Sequence, residues 1–142
     1  IIIHTDGAAR GNPGQGGAGV VIEYNGHFHY HKQYLGETTN NKAEYHALLF
    51  ALQKTAELIK KENLAVDRVI CYSDSELLVR QMRREYKVKD QGLSSLFVKV
   101  WNLAAKLSSI EYVYIPRAKN KEADKLANEA IDEFMNGGKE QF

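Results

Sequence analysis

The sequence predicts an α/β fold, a five-stranded mixed sheet with helices on both faces. Three observations predict it. The first 35 residues hold three strand-like runs and no helical pattern, so they read as a meander. From there on, strand-like and helix-like segments alternate, which is the pattern of βαβ units and parallel neighbours. At 142 residues the chain can bury roughly 68–70% of its unfolded surface, enough to cover such a sheet.

The elements follow in order. Residues 1–6, IIIHTD, are a short buried strand that ends on a carboxylate. The next residues dissolve into glycine and read as a loop. Residues 18–24, AGVVIEY, are a second strand, and Asn25-Gly26 is a hairpin signal. Residues 27–35, HFHYHKQYL, alternate strictly and give a third strand. GETTNN breaks the pattern and opens a long helix over about 41–62. Residues 68–74, RVICYSD, are the fourth strand, and residues 75–85 are helical. Another helix covers 93–108, and IEYVYI at 110–115 is a fifth strand stopped by Pro116. The last helix runs from about 121 to 135, and Gly137 and Gly138 end it. One domain over residues 1–136 is expected, with 137–142 a flexible tail.

The totals exclude several classes. Hydrophobic content of 44% and charge of 26% describe an ordinary globular chain rather than a disordered one. No apolar run approaches the roughly 18 residues of a membrane span. Nothing reads as a secretory signal. One cysteine, Cys71, rules out an internal disulfide framework and a cysteine-based zinc site. A reducing, cytoplasmic setting is expected, and a monomer is the default.

Four acids stand in special places. Asp6 ends the first strand and Asp74 the fourth, and both strands lead toward helices. Parallel neighbours would put both carboxylates on one sheet edge, where open α/β folds build sites. Glu44 falls on the apolar stripe of the long helix, with Ala47, Leu48, Ala51 and Leu52. Asp124 falls on the inward stripe of the last helix, with Ala123, Ala127, Ala130, Ile131 and Phe134. One acid alone reads as a dipole or capping residue. Four on one edge repel one another and require cations. Hard divalent ions with oxygen ligands meet that need, so Mg²⁺ or Mn²⁺ is favoured over zinc. An all-carboxylate set suits two metals about 3.5–4 Å apart, one activating water and one stabilising a leaving oxygen at phosphorus. On this reading the glycines keep the neighbouring loop low enough for a polymer to pass.

TDGAARGNPGQGGAG, TTNNKAEYHALLFAL, CYSDSELLVRQM and RAKNKEADKLAN resemble, in order, the signature segments of type 1 ribonuclease H. The resemblance implies the ribonuclease H fold with sheet order 3-2-1-4-5. It implies endonucleolytic cleavage of the RNA strand of RNA–DNA hybrids by two divalent ions. By motif position, Asp6, Glu44, Asp74 and Asp124 match the family's metal-binding carboxylates. Thr39 looks like the residue that holds a phosphate of the DNA strand. Asn40, Asn41 and Asn12 look like contacts to the hybrid's minor groove. The physics agrees, since helix N-termini bind phosphate and amides suit 2′-hydroxyls and base edges. Capping a helix is the plainer role for Thr39, Asn40 and Asn41.

The chain departs from the family twice. Where many members carry a long basic protrusion, only RQMRREYKVK stands; its Arg80, Arg83, Arg84, Lys87 and Lys89 either guide nucleic acid or form a solvated face. Many members also carry a mobile histidine before the last helix. Here the five histidines lie at 4, 27, 29, 31 and 46, and the loop PRAKNK offers none. This resembles the short, archaeal-like members. Arg117 is the residue expected to take an electrostatic place beside the scissile phosphate. His27, His29 and His31 read as a solvated strand face. Two rival functions remain: a catalytically silent hybrid-binding module, and a looser nuclease that also cuts duplex RNA.

Overall fold

The computed structural model describes residues 1–140. Strands β1 (Ile2–Gly11), β2 (Gly14–Tyr24) and β3 (His27–Thr38) form the antiparallel meander. Helix α1 (Asn40–Glu62) leads to β4 (Val69–Ser73), then α2 (Glu76–Met82), α3 (Gln91–Ala104) and β5 (Ile110–Tyr114). A 3₁₀ turn at Arg117–Lys119 precedes α4 (Lys121–Glu140). The sheet order is β3-β2-β1-β4-β5, with β4 parallel to both β1 and β5. This is the order the resemblance implies.

Alternation along the strands sorts the layers. Ile3, Ala18, Val20, Ile22, Val69 and Cys71 face α1 and α3, where Tyr45, Leu48, Leu52 and Val100 complete the main core. Gly17 and Gly19 point to the other face, onto α4. At roughly 25 cal/mol per Å² of apolar surface removed from water, the main core supplies most of the driving force.

The structure corrects the glycine segment. It is not a loop. β1 continues past Asp6 and pairs with β2 from Ile2↔Glu23 to Gly11↔Gly14, leaving only Asn12 and Pro13 as the turn. Gly7, Gly17 and Gly19 of this segment serve helix packing. A Cβ on Gly7 would lie 2.1 Å from the Ala43 carbonyl oxygen of α1. A Cβ on Gly19 would lie 2.0 Å from the Ala123 carbonyl oxygen of α4. Only a residue without a side chain lets both helices approach this closely.

Four helix ends also differ. α2 stops at Met82, three residues early, and the chain turns through Arg84 at a φ of 64°. α3 starts at Gln91 because Asp90 caps it, its side chain accepting from the Leu93 N–H at 3.0 Å, and it stops at Ala104. α4 does not end at Gly137 and Gly138 but continues to Glu140; residues 141 and 142 of the expected tail lie outside the described residues. Phe134 is not on the buried stripe of α4. It is exposed and stacks on Tyr34 of β3 with ring centroids 3.7 Å apart.

Candidate active site

Parallel register brings the first two acids together. β1 and β4 pair through Thr5↔Ser73, so Asp6 and Asp74 are the next residue on each strand. α1 packs on β1 and lays Glu44 beside them, with the Gly7 N–H donating to Glu44 Oε1. Asp6, Glu44 and Asp74 each offer an oxygen within 4.8 Å of the others. Asp6 is 6% exposed and Glu44 8%. Glu44 lies beyond the first turn of α1, which holds no acid, so the helix dipole does not explain it. Nor does Asp74 cap α2, because Ser75 does, accepting from the Leu78 N–H at 3.2 Å. The bland accounts of both acids therefore fail.

The fourth acid, Asp124, neighbours Asp6, whose pKa it helps to raise, without joining the tight group. It lines the same open cleft. Its carboxylate faces the Arg117 guanidinium at 3.9 Å. Arg117 rises from the short turn before α4 and lines the cleft with its side chain 83% exposed. Among the described residues, no histidine lines this cleft.

Electrostatics mark the trio as incomplete. Burial pushes the Asp6 carboxyl far above its ordinary value, and the charges of Glu44 and Asp74 push it further. Burial raises Glu44 too, against the pull of the Gly7 N–H. Asp74 is raised by burial, opposed by its hydrogen bond with Asp6 and by Arg117. Two buried acids and a half-buried third this close favour a shared cation or a retained proton over three free charges. The donor set is oxygen only, which suits Mg²⁺ or Mn²⁺ and not a soft metal. Asp6, Glu44 and Asp74 could hold such ions directly, with Asp124 completing the set from the rim.

The polar residues of the α1 entrance are partly spoken for. Thr39 caps α1, its Oγ1 accepting from the Lys42 N–H at 3.3 Å, and its hydroxyl proton stays free to donate. Asn12 reaches across from the β1–β2 turn, its Oδ1 accepting from the Asn40 N–H at 3.0 Å. Asn40 and Asn41 are exposed on the cleft rim. Two cations of the basic stretch from α2 onward are ion-paired: Arg80 with Glu76 and Glu85, and Arg83 with Glu85. Arg84 lies over Phe97 and Trp101 instead.

Sequence reasoning passed over Asn120. It is 1% exposed, and its Nδ2 donates to the Thr5 carbonyl at 3.0 Å. It also helps keep Asp74 charged. So one side chain pins the turn before α4 to β1, directly behind the acids. In the string PRAKNK it looks like any loop amide, and only its depth distinguishes it.

A family model described as reverse transcriptase-like matches residues 4–130. LC11-RNase H1, solved in complex with an RNA/DNA hybrid, superposes with a TM-score of 0.87 at 45% identity, over 94% of this chain and 98% of that one. The chain belongs to the type 1 ribonuclease H family. A second type 1 ribonuclease H, from the halophilic archaeon Halobacterium salinarum, is similar with a TM-score of 0.85 and 32% identity, over 94% and 98% of the two chains. The bifunctional protein Rv2228c of Mycobacterium tuberculosis is 38% identical over 135 residues, 93% of this chain but 35% of that protein. This ribonuclease H chain thus spans about a third of the length of that curated relative. No helix among its described residues is long and apolar enough to cross a membrane.

Proposed function

We propose that the chain hydrolyses the RNA strand of RNA–DNA hybrids, with Asp6, Glu44, Asp74 and Asp124 as ligands for two divalent ions, Mg²⁺ or Mn²⁺. The observation that carries this is the trio of carboxylates within 4.8 Å where the parallel pairing of β1 and β4 ends against α1. Such a set is unstable as three anions and stable around cations. When bound, two such ions would supply a nucleophile near neutral pH and offset charge on the attacking and leaving oxygens.

The remaining steps belong to the protein. Asn12, Asn40 and Asn41 form a rim of amides that can donate and accept at once, which suits 2′-hydroxyls and base edges in a minor groove. Thr39 and the α1 N-terminus favour a phosphate of the DNA strand. Arg117 offers a planar, permanently charged fork at the mouth of the cleft, suited to phosphate oxygens beside the scissile bond. It holds its proton, so it positions and neutralises, and solvent carries the proton to the leaving group.

The test is direct. Labelled RNA–DNA, RNA–RNA and DNA–DNA duplexes are incubated with the protein in Mg²⁺, in Mn²⁺ and in chelator. The reading expects cleavage of the RNA strand of the hybrid that chelator abolishes. Binding without cleavage in either ion would make the chain a silent hybrid-binding module. Equal cleavage of the RNA duplex would make it the looser nuclease.

A further inference from the structure

Asp124 is the least constrained of the four acids. It stands outside the 4.8 Å group, and its side chain keeps 32% of its surface exposed. What holds it is a run of hydrogen bonds that leads back to β1. Asn128 lies one turn further along α4. Its Nδ2 donates to the Asp124 carbonyl at 3.0 Å and to Asp124 Oδ1 at 3.4 Å. An amide has a donor end and an acceptor end. Only the donor end supports a carboxylate; the flipped amide would set oxygen against oxygen.

Arg10 decides which end faces Asp124. Its Nη2 donates to Asn128 Oδ1 at 3.2 Å and to the Asn128 carbonyl at 3.3 Å. Its Nη1 donates to Asp132 Oδ1 at 2.7 Å. With its oxygen taken by Arg10, the Asn128 amide can offer only N–H to Asp124. Arg10 lies four residues beyond Asp6 on β1, on the same face of the strand. One strand thus carries one acid into the cleft and the group that orients another. Neither Arg10 nor Asn128 lines the cleft. The Arg10–Asp132 pair is exposed on both sides, 43% and 55%, and such pairs add little to stability. The fork's contribution is therefore one of orientation.

We propose that Arg10, acting through the Asn128 side-chain amide, is a positioning residue for the Asp124 carboxylate. The proposal rests on Asp124 being an ion ligand of the ribonuclease site. It is tested with Arg10→Ala, Arg10→Lys and Asn128→Asp. Mn²⁺ binding is measured by calorimetry on the substrate-free protein, and kcat and KM on labelled hybrid. Arg10→Ala should weaken Mn²⁺ binding and lower kcat, each by about tenfold, with KM for the hybrid and the melting temperature nearly unchanged. Arg10→Lys should recover less than half of the loss, because an ammonium lacks the fork. Asn128→Asp keeps the shape but turns oxygen toward Asp124, and should cost more than Arg10→Ala. Mn²⁺ affinity and kcat of Arg10→Ala within about twofold of wild type would overturn the proposal, as would full rescue by lysine. A wild-type protein that binds Mn²⁺ but cleaves no hybrid overturns the ribonuclease reading instead, while the calorimetry still decides the role of Arg10.

Discussion

Asp6, Glu44 and Asp74 stand on two central strands and a long helix; Asp124 and Arg117 stand on the first turn of α4 and the short turn before it. The trio is held by backbone register and buried packing. At the rim, Asp124 is held by a side-chain hydrogen bond from Asn128 and Arg117 by its ion pair with Asp124, and both face solvent, at 32% and 83% exposure. The trio's charges interact strongly even in the free protein, because burial strips their water. The rim pair, 3.9 Å apart in solvent, contributes little until a polymer closes the cleft and lowers the local dielectric. Loss at the trio should therefore abolish chemistry, and loss at the rim should grade it.

The largest effect should come from the trio. Asp74→Asn keeps the shape and removes one charge. Cleavage should fall by more than about 10³, the upper end for loss of one preorganised electrostatic group. Hybrid binding should survive or tighten as repulsion of phosphate falls. Turnover in Mg²⁺ within a few-fold of wild type would erase the distinction between trio and rim.

Next comes Arg117. Arg117→Ala should slow cleavage by about 10²–10³ without harming the fold. Lysine there should restore only part, since it cannot fork. A nearly flat rate between about pH 6 and 8 would fit a site without a histidine acid. If Lys119→Ala is slow and Arg117→Ala is not, the electrostatic role belongs two residues along.

A smaller effect is expected at the entrance. Asn41 is exposed on the cleft rim, and among the described residues its side chain has no hydrogen-bond partner. Asn41→Ala should weaken hybrid binding by an amount in the range of about 1–3 kcal/mol for an unmade polar contact. Its melting temperature should not move. A matched loss of stability and binding would make Asn41 part of the helix start rather than of substrate recognition.

The same contrast explains what could be read in the sequence. The strands and the converging acids follow from strong signals: strict alternation in HFHYHKQYL, the Asn25-Gly26 turn, and acids at the ends of apolar runs, whereas the sheet order is implied by the family resemblance. Those signals are local, and local periodicity survives folding. The glycine segment misled because a strand whose partner is a helix backbone needs no side chains, so its composition imitates a loop. Gly137 and Gly138 misled because glycine weakens a helix without obliging it to stop. Phe134 kept the helical period but lies over the edge strand β3, where it stacks on Tyr34 and stays exposed. Asn120, Asn128 and Arg10 carried no signal at all. Their partners are 115, 4 and more than 100 residues away, and hydrogen bonds of that kind leave no period in the chain.

The smallest effect separates trio from rim in the metal-free protein. Asp6 and Glu44 have raised pKa values in the fold, chiefly through burial. A group whose folded pKa is raised favours the fold while it stays protonated. That contribution is complete below the ordinary carboxylate range near 4 and is lost as pH rises through the folded value. Metal-free protein should therefore lose stability as pH rises from the ordinary carboxylate range, through about 7 for Glu44 and about 10 for Asp6. Asp6→Asn removes the most strongly displaced carboxyl and keeps its shape. At pH 8 in chelator it should melt higher than wild type, by roughly 3 °C for each kcal/mol of relieved repulsion. At pH 4 the two should melt together, because the wild-type carboxyl is then protonated. Mg²⁺ should raise the melting temperature of wild type at pH 8 and do so far less for Asp6→Asn. Asp124→Asn, at the rim, should show a smaller chelator effect than Asp6→Asn, because Asp124 is the weakest of the neighbours that raise Asp6. Equal stabilisation by Asp6→Asn and Asp124→Asn would mean that the repulsion is shared by all four acids, and that the trio is not a unit.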